Sequence, residues 1–354
     1  MKNVLRIALV MGLALIAYLL LWPVPISPAS WTPPPAPELT GPYATNDRLQ
    51  GTQRLDTGSG FAPEDVALDG QGRIYGGLED GHIVRLEPDG TRAMVFANTH
   101  GRPLGLIFDR ARNLIVADAI KGLLSINPEG DVSTLTTGIE GAPLHCANDL
   151  DVAADGTIYF TDASKFPLTQ FKADILEHQP NGRLLAYDPQ AKTTHVVLSN
   201  LHFANGVAVS PDQNFLLVVD TGEYRVNRLW LKGPKQGQAE VFIENLPGFP
   251  DGILSNGKDK FWLALVTPRD AMLDRMLPHP FLRKIIMRLP DFLQPAPKRY
   301  SFVLGLDMNG HVVDNLQDGS KDCYAEIANV VEHNGVLYFG SIGESAIGRH
   351  PLPK

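Results

Sequence analysis

The feature that most constrains this chain is a repeated phrase of two apolar strands joined by a short turn rich in Asp, Asn and Gly. The copies begin at Pro63, Pro103, Ala147, Ala204, Pro250 and Glu326. Alternation of apolar residues with period two is typical of half-buried strands, and such turns are typical of hairpins. Three copies are followed by a third strand, so each unit holds about four strands, as a propeller blade does. The sequence therefore predicts an all-β fold, a six-bladed β-propeller.

Two segments depart from the repeat. The stretch before the first copy, RLQGTQRLDTG at residues 48–58, is expected to supply an outer strand that closes the ring with the last blade. Residues Ala271–Tyr300 are rich in Leu, Ile and Met, with Lys and Arg interspersed and Pro breaks. This composition predicts a short helical insertion of two amphipathic helices between blades 5 and 6. The insertion can cap the channel, form a substrate wall, lie on a membrane interface or simply pack on one blade.

The N-terminus predicts a membrane segment. Lys2 and Arg6 precede an apolar run from Ile7 to Trp22, which continues to Ile26 and approaches the length that crosses a bilayer. We expect residues 1–26 to be an uncleaved signal anchor, with a cleaved signal peptide as the alternative. Because basic residues stay on the cytoplasmic side, the remainder is expected outside the cytoplasm. An extended Pro-rich linker at 27–46 then leads to the propeller at 47–354.

Charge and cysteine content exclude several functions. The formal net charge is −8, and no basic run follows the N-terminus, which argues against a nucleic-acid partner. Cys146 and Cys323 are too few for a disulfide scaffold or a thiolate zinc site, and the sequence leaves open whether they pair. The chain shows no nucleophile elbow, phosphate-binding Walker loop or dinucleotide fingerprint.

Aligning the copies on their turns gives a candidate metal site. The residues that open the inner strands are Glu64, Leu104, Asn148, Asn205, Asp251 and Ile327. Inner strands surround the axis of a propeller, so equivalent positions converge on one level of the channel. Two carboxylates and two amides suit Ca²⁺, whereas zinc would favour His or Cys. Each of these residues alone is also common in ordinary turns. Four oxygen-bearing residues at the same position of the repeat favour a metal site.

The next register position is mixed. Its residues are Asp65, Gly105, Asp149, Gly206, Gly252 and Ala328. The small residues let backbone crowd the channel. Asp65 and Asp149 can bind a second, deeper cation, hydrogen-bond the ligands of the first, or cap their strands.

Several motifs carry a family resemblance. They are PEDVALD, CANDLDVAADGTIYFTDAS, FANGVAVSPD at Phe203–Asp212, and PGFPDGI. Over about Asp47 to Pro351 the chain resembles the strictosidine synthase-like proteins and their relatives, the senescence-marker/gluconolactonase proteins, the paraoxonases and the squid-type diisopropylfluorophosphatase. The resemblance implies a six-bladed propeller.

The resemblance also implies metal ligands. In the relatives that hydrolyse esters, lactones or organophosphates, a Glu-Asn-Asn-Asp set binds a catalytic Ca²⁺. The residues that match it here are Glu64, Asn148, Asn205 and Asp251. Asp65 and Asp149 match the two aspartates that hold a buried structural Ca²⁺ in the paraoxonase-like branch.

The oxygen set favours one branch of this superfamily. The alkaloid-forming synthases condense an amine with an aldehyde without a metal and do not keep these ligands. The resemblance therefore implies a Ca²⁺-dependent hydrolase of small-molecule esters or lactones, with organophosphates as further substrates. A condensing lyase of the strictosidine synthase kind and a non-catalytic propeller that binds a partner remain as alternatives.

Three residues are candidates for catalysis. Asp251, in the tight PGFPDGI turn, can attack the substrate directly or activate a water molecule. His145 and His202 each precede a predicted ligand Asn by three residues. We expect both histidines in loops at the same channel mouth, where each can act as a base or as a hydrogen-bond donor.

Overall fold

The structure, a computed structural model that describes residues 1–58 and 60–352, is built mainly from six four-stranded antiparallel sheets. Each sheet is one blade, and the first strand of each blade contacts the first strands of the blades on either side. These six contacts close a ring of inner strands around a central channel. The predicted six-bladed β-propeller is therefore confirmed.

The strands follow the chain from the channel outwards in the first five blades. In blades one to three they are Val66–Leu68, Ile74–Gly77, His82–Leu86 and Met94–Asn98; Pro103–Phe108, Leu114–Asp118, Gly122–Ile126 and Val132–Thr136; and Ala147–Val152, Ile158–Asp162, Gly182–Asp188 and Thr193–Leu201. In blades four and five they are Ala204–Val209, Phe215–Asp220, Arg225–Trp230 and Ala239–Ile243; and Gly248–Ser255, Lys260–Pro268, Ser301–Asp307 and Val312–Asp318. A small extra hairpin pairs Gly138–Ile139 with Ala142–Pro143.

Blade six joins the two ends of the propeller. Its strands from the channel outwards are Ile327–His333, Val336–Ser341, Ala346–Pro351 and Gln53–Asp56. The outermost strand comes from the segment before the first repeat and pairs antiparallel with Ala346–Pro351. The expected closure of the ring is thus confirmed.

The hydrophobic core lies between neighbouring blades. Leu106 of blade two packs in one cluster with Tyr75 of blade one, and Phe160 of blade three packs with Ile115 of blade two. All four side chains are at most 4 % exposed. The blades are therefore held together by face-to-face packing of their sheets, as the alternating pattern of the repeats requires.

Four α-helices accompany the sheets in the described part of the chain. They are α1 (Lys2–Leu21), α2 (Phe171–Glu177), α3 (Ala271–Met276) and α4 (Pro280–Met287). Short 3-10 turns occur at Gly41–Tyr43, Leu168–Gln170, Thr221–Glu223 and Asp291–Leu293. Asp270 caps the start of α3 by accepting hydrogen bonds from two backbone amides, and Pro280 begins α4 with a fixed φ.

The two predicted insertion helices are confirmed as α3 and α4, but their predicted place is corrected. They interrupt blade five between its second strand, Lys260–Pro268, and its third, Ser301–Asp307, instead of lying between blades 5 and 6. The repeat alignment recognised only the inner hairpin of this copy, so its two outer strands were not counted. Helix α2 was not predicted, because seven residues are too few for a clear helical period.

Helix α1 stands apart from the propeller core, since none of its residues is buried. At 20 residues it is about 30 Å long, and it is the only helix in the described chain long and apolar enough to cross a membrane. The Pro-rich segment after it is extended but lies against the propeller. Ile26 is 2 % exposed, and the Trp31 ring stacks on His178 with 4.3 Å between ring centroids.

Candidate metal centre

A cavity of about 770 Å³ lies at one end of the channel. Its walls are mostly apolar, with Phe171, Ile175 and Phe249 among them. The four oxygen-bearing residues of the predicted ligand set line this cavity and also the narrow space that continues along the channel; they are Glu64, Asn148, Asn205 and Asp251. We call these four residues the cavity set. The structure thus brings together side chains that are up to 187 positions apart in sequence.

Irregularities in the inner strands present these side chains. The pairing with the second strand shifts register between Ala147 and Leu150 in blade three, and between Ala204 and Val207 in blade four. A similar shift lies between Pro250 and Ile253 in blade five. Bulges of this kind bend a strand and re-aim the side chains within it. Asn148, Asn205 and Asp251 all lie within such irregularities.

Two buried aspartates hold the loops that lead to the amide ligands. Asp162 Oδ1 accepts hydrogen bonds from the backbone amides of His145 (3.0 Å) and Cys146 (2.8 Å). Asp220 Oδ1 accepts one from the amide of His202 (2.7 Å). Each aspartate ends the second strand of its blade and also pairs with an arginine of the third strand. This repeated device fixes the backbone just before Asn148 and Asn205.

The carboxyl groups of the cavity set lie in a poorly solvated site. Burial raises the pKa of Glu64, although its Oε2 accepts a hydrogen bond from Arg102 Nη2 at 2.9 Å. Burial also raises the pKa of Asp251 well above its usual value, and the negative charge of Glu64 adds to this shift. The neighbouring Asn205 side chain acts in the opposite direction and lowers this pKa.

This set fits a hard divalent cation. Asn148, Asn205 and Asp251 are at most 6 % exposed, and all the donors are oxygens of the type that Ca²⁺ accepts. Among the described residues only Arg102 forms an ion pair with the set, so one of its two potential negative charges is not offset. Buried charges are expected to be paired or to coordinate a metal. A cation held by these four side chains would meet that requirement.

The aspartates that directly follow Glu64 and Asn148 hydrogen-bond to the backbone and do not line the large cavity. Asp149 Oδ1 accepts a hydrogen bond from the amide of Leu150 (2.8 Å), and its Oδ2 accepts one from Val207 of the next blade (3.0 Å). Asp65 likewise accepts from Val66 (2.6 Å) and from Leu106 of the next blade (2.7 Å).

Two more residues extend these links around the ring. The Asn329 amide of blade six donates to Asp65 Oδ1 at 2.6 Å, and Asp151 Oδ2 accepts from Val209 of the next blade at 2.7 Å. We call Asp65, Asp149, Asp151 and Asn329 the bridging set. Their hydrogen bonds support the capping role for Asp65 and Asp149, while a second cation there stays a prediction.

Glycines at the same position let the inner strands approach closely. A Cβ on Gly105 would lie 2.8 Å from Asp149 Cα, and one on Gly206 would lie 2.5 Å from the backbone nitrogen of Ile253. Neither contact is with a side chain that can move away. The small residues expected here are therefore required by backbone packing across the channel.

The two candidate histidines do not line the cavity. The His145 side chain is exposed on the loop before blade three. His202 instead stacks on His178, with 4.6 Å between ring centroids, and its Nδ1 lies 3.4 Å from Glu223 Oε1. Burial and the neighbouring His178 lower the pKa of His202 to about 4. A catalytic role for either histidine stays a prediction that the geometry does not support.

His178, His202 and Glu223 form a cluster of their own that the sequence analysis missed. One donor atom from each lies within 4.8 Å of the others. The two imidazole rings are nearly parallel, inclined by 22°. Because imidazole binds a metal in the plane of its ring, this stacked arrangement suits a packed aromatic group better than a shared ion.

Two further charged residues of the cavity were also missed. Arg102 contacts Glu64 but lies in blade two, whose register residue, Leu104, carries no ligand atom, so the shared register contains no signal for it. Glu326 lines the cavity from the start of blade six with a positive φ of 52°, and burial raises its pKa. Its position directly before Ile327, the register residue of blade six, was the available signal.

The two cysteines are separate in the structure. Cys146 and Cys323 are both buried and both unpaired. The question that the sequence left open is therefore answered in favour of two free thiols.

Comparison with known families identifies relatives of this chain. The strictosidine synthase family model matches residues 148–234, and a model of the strictosidine synthase-like N-terminal region matches residues 41–86. Protein strictosidine synthase-like 13 of Arabidopsis thaliana is 36 % identical over 311 residues, which cover 78 % of this chain and 77 % of that protein. The adipocyte plasma membrane-associated protein of Bos taurus is 34 % identical over 360 residues, covering 95 % of this chain and 87 % of the relative.

Solved structures with this fold are more distant in sequence. A gluconolactonase from Xanthomonas campestris aligns with a TM-score of 0.65 at 19 % identity, covering 93 % of this chain and 99 % of the other. Regucalcin from Agrobacterium tumefaciens, described as a calcium-binding protein, aligns with a TM-score of 0.61 at 14 % identity, covering 86 % and 95 %. At these identities the likeness shows a shared propeller fold.

Proposed function

The chain belongs to the strictosidine synthase-like family, and we propose that it is a metal-dependent hydrolase of esters or lactones. The observation that carries this proposal is the cavity set, four convergent oxygen donors at the base of an apolar cavity. A binding platform has no need of buried carboxyl groups whose charge is only partly offset. A reaction that develops negative charge beside a bound cation needs such carboxyl groups, because they hold the cation.

The cavity suits a small organic substrate. Its volume of about 770 Å³ lies within the range of small-molecule sites, which combine apolar walls with a few polar groups. Phe171, Ile175 and Phe249 would contact the acyl or aryl part of the substrate. The ester or lactone group would then face the cavity set. Phosphotriesters offer a similar size and polarity and are included as further substrates.

We propose Ca²⁺ as the cation. Glu64, Asn148, Asn205 and Asp251 would hold it through their side-chain oxygens, and the calcium named for regucalcin agrees with this choice. When bound, Ca²⁺ would supply a positive charge that stabilises the negative charge developing on the substrate oxygen.

Asp251 is the proposed base. Its carboxyl faces the cavity, where a substrate and a water molecule would lie. In this scheme Asp251 takes a proton from water, the water oxygen forms a bond to the acyl carbon, and the carbon–oxygen bond of the ester breaks. The proton then passes to the leaving alkoxide. The Asn205 side chain lies next to the Asp251 carboxyl.

A substrate panel with and without chelator tests this proposal. The purified full-length chain is assayed in detergent against aryl esters, lactones and phosphotriesters, before and after EDTA treatment and after calcium is restored. Hydrolysis of at least one class that EDTA abolishes and calcium restores supports the proposal. Absence of any such activity across the panel contradicts it.

A metal-independent condensing lyase is the second candidate. The family model that spans Asn148 and Asn205 is that of strictosidine synthase itself, which favours this reading. Condensation of an amine with an aldehyde, at the same rate with and without EDTA, would support the lyase over the hydrolase.

We also propose that α1 anchors the propeller on the extracytoplasmic side of a membrane. The proposal rests on the apolar α1, on Lys2 and Arg6 at its start, and on the similarity to a plasma membrane-associated relative. Full-length protein should remain with membranes in alkaline carbonate, and protease added from the extracytoplasmic side should reach the propeller. A mature N-terminus near Trp31 would instead show a cleaved signal peptide.

A further inference from the structure

The insertion in blade five is bonded directly to the end of the apolar helix. Arg288, just after α4, donates hydrogen bonds to the carbonyl oxygens of Leu19 (2.8 Å) and Trp22 (2.6 Å). The Tyr18 hydroxyl donates to the Arg288 carbonyl at 3.1 Å. Arg288 is only 9 % exposed. Helix α1 therefore ends on this insertion and not on a free linker.

The same contact marks the level of the membrane boundary. The rings of Tyr18 and Trp22 lie 5.8 Å apart at the C-terminal end of α1. Tyr and Trp concentrate where membrane-spanning helices leave the hydrocarbon, and a cation is favourable at a helix C-terminus. Arg288 therefore lies at the interface if α1 spans the bilayer.

The segment after α1 is fixed to the propeller by buried contacts and hydrogen bonds. Ile26 is buried, and the Ser27 amide donates to Glu177 Oε1 at 2.8 Å. Arg283 of α4 is fully buried and donates to the carbonyl of Leu176 in α2 at 2.9 Å. Helices α2 and α4 are thus joined to each other and to the chain as it leaves α1. This leaves little freedom for the propeller to tilt away from the membrane.

The insertion also forms one wall of the cavity. Gln294 lines the cavity, and its side chain donates to the carbonyl of Leu289, the neighbour of Arg288, at 2.8 Å. Pro295 and Pro297 continue the same wall. Gln294 follows Arg288 by six positions, a span of at most about 20 Å. The cavity wall and the contact with the end of α1 are therefore made by the same short segment.

Large apolar side chains are exposed on this insertion. Phe292 is 84 % exposed, and the others between 43 % and 56 %; they are Met272, Phe281, Leu282 and Leu293. We call these five residues the apolar patch. Several large exposed apolar side chains on one segment usually mark a partner or a membrane, and these lie on the segment that is bonded to a membrane-length helix. A lipid surface is therefore the occupant that the structure favours.

We propose that the apolar patch rests in the membrane surface and that the cavity takes an amphiphilic ester or lactone directly from the bilayer. Exposed apolar residues also line the cavity, among them Phe61, Ile120 and Phe171. Of these, Phe171 belongs to α2, which packs against α4 of the insertion. A hydrocarbon chain that leaves the bilayer beside the patch would enter the cavity past Phe171, Pro295 and Pro297. The ester or lactone chemistry rests on the proposed hydrolase, whereas the membrane contact does not.

Lipid contact is tested by fluorescence quenching in full-length protein in nanodiscs. Phe292→Cys and, as a matched control, Val196→Cys on the outer strand of blade three are labelled with bimane. Val196 is 45 % exposed and lies outside the apolar patch, while Cys146 and Cys323 are at most 2 % exposed and should not react. Brominated lipids should quench the label at position 292 and leave that at 196 unchanged. Equal quenching at both positions, or none at 292, overturns the proposal.

Substrate delivery is tested with the double variant Phe292→Asp/Leu293→Asp, whose residues do not line the cavity. For a long-chain ester presented in nanodiscs, kcat/KM should fall about tenfold, a change of the size that loss of a large apolar contact produces. For a short soluble ester kcat/KM should stay unchanged. An equal loss for both esters overturns membrane delivery. If neither ester is cleaved by the wild type, the hydrolase proposal fails while the quenching result still decides the membrane contact.

Discussion

The cavity set and the bridging set both lie around the channel and adjoin in Glu64-Asp65 and Asn148-Asp149, yet their side chains have different partners. The oxygens of Asp65 and Asp149 accept hydrogen bonds from backbone amides of their own and the next blade. Those of Asn148 and Asp251 face the cavity and make no bond to a neighbouring backbone among the described residues. In Glu64-Asp65 and Asn148-Asp149 the aspartate therefore joins two blades, and the residue before it remains available for a ligand.

The difference shows why a single motif can serve fold and function together. In Asn148-Asp149 the aspartate fixes the spacing between blades three and four through Val207. That spacing sets where Asn148 and Asn205 stand relative to each other. We therefore expect exchanges in the bridging set to cost stability, and exchanges in the cavity set to cost metal binding or turnover.

The largest effect is expected from Asp251→Asn. Asn keeps an oxygen donor and nearly the same volume, so fold and metal should largely survive. The variant loses the proposed base, which typically contributes about 10²–10⁴-fold to rate. The measurement is kcat for the best ester or lactone with calcium saturating, alongside the Tm. Turnover at the wild-type rate with calcium bound would leave Asp251 without a chemical role.

Asp149→Ala should mainly destabilise the protein. The exchange leaves the buried amides of Leu150 and Val207 without their acceptor, a loss of about 2–4 kcal/mol. Denaturant unfolding in chelator measures it. The matched control is Asn148→Ala, one residue earlier, which should unfold almost as the wild type does. Equal destabilisation by both exchanges would show that the two sets do not differ in role.

Arg102→Met tests whether Arg102 competes with a cation for the cavity set. The Arg102 guanidinium offsets the charge of Glu64 and occupies its Oε2, so it should compete with a cation. Its replacement should tighten calcium binding by about tenfold, because affinity rises with ligand charge. Calorimetric titration of the chelator-treated variant measures the change. Weaker binding would mean that Arg102 positions Glu64 for the metal and does not oppose it.

The smallest effect is a pH dependence of the bridging set. Burial raises the pKa of Asp151 from 3.8 to about 6. The folded protein then binds more protons than the unfolded chain between these values, so this group stabilises below about pH 4 and that stabilisation is lost as pH rises through 6. The Tm of Asp151→Asn minus that of the wild type should therefore increase by a few degrees from pH 4 to 7. A constant difference would indicate an ordinary pKa.

The repeat pattern was sufficient to predict the propeller, its closing strand and the four members of the cavity set. Each follows from local alternation or from one shared register. The place of α3 and α4 was predicted wrongly, because the repeat marks inner hairpins and not the outer strands Ser301–Asp307 and Val312–Asp318. The Arg102–Glu64 pair depends on the spacing of two blades, which no local pattern reports.

The direction of the His202 side chain was equally unreadable from sequence. Its position three residues before Asn205 suggested the channel mouth. The ring instead packs between His178 and Glu223. Trp31 of the Pro-rich segment stacks on the other residue of this pair of rings, His178. A side chain's direction in a loop depends on tertiary partners that are distant in the chain.

Calorimetric titration of chelator-treated protein with calcium tests the central claim most directly. The account predicts saturable binding of one ion per chain, weakened at least about tenfold by Asn205→Ala and little changed by Asp151→Asn. Two ions per chain would mean that the bridging set also holds a metal. No saturable binding, or binding that Asn205→Ala leaves unchanged, would contradict the assignment of the cavity set as a metal centre.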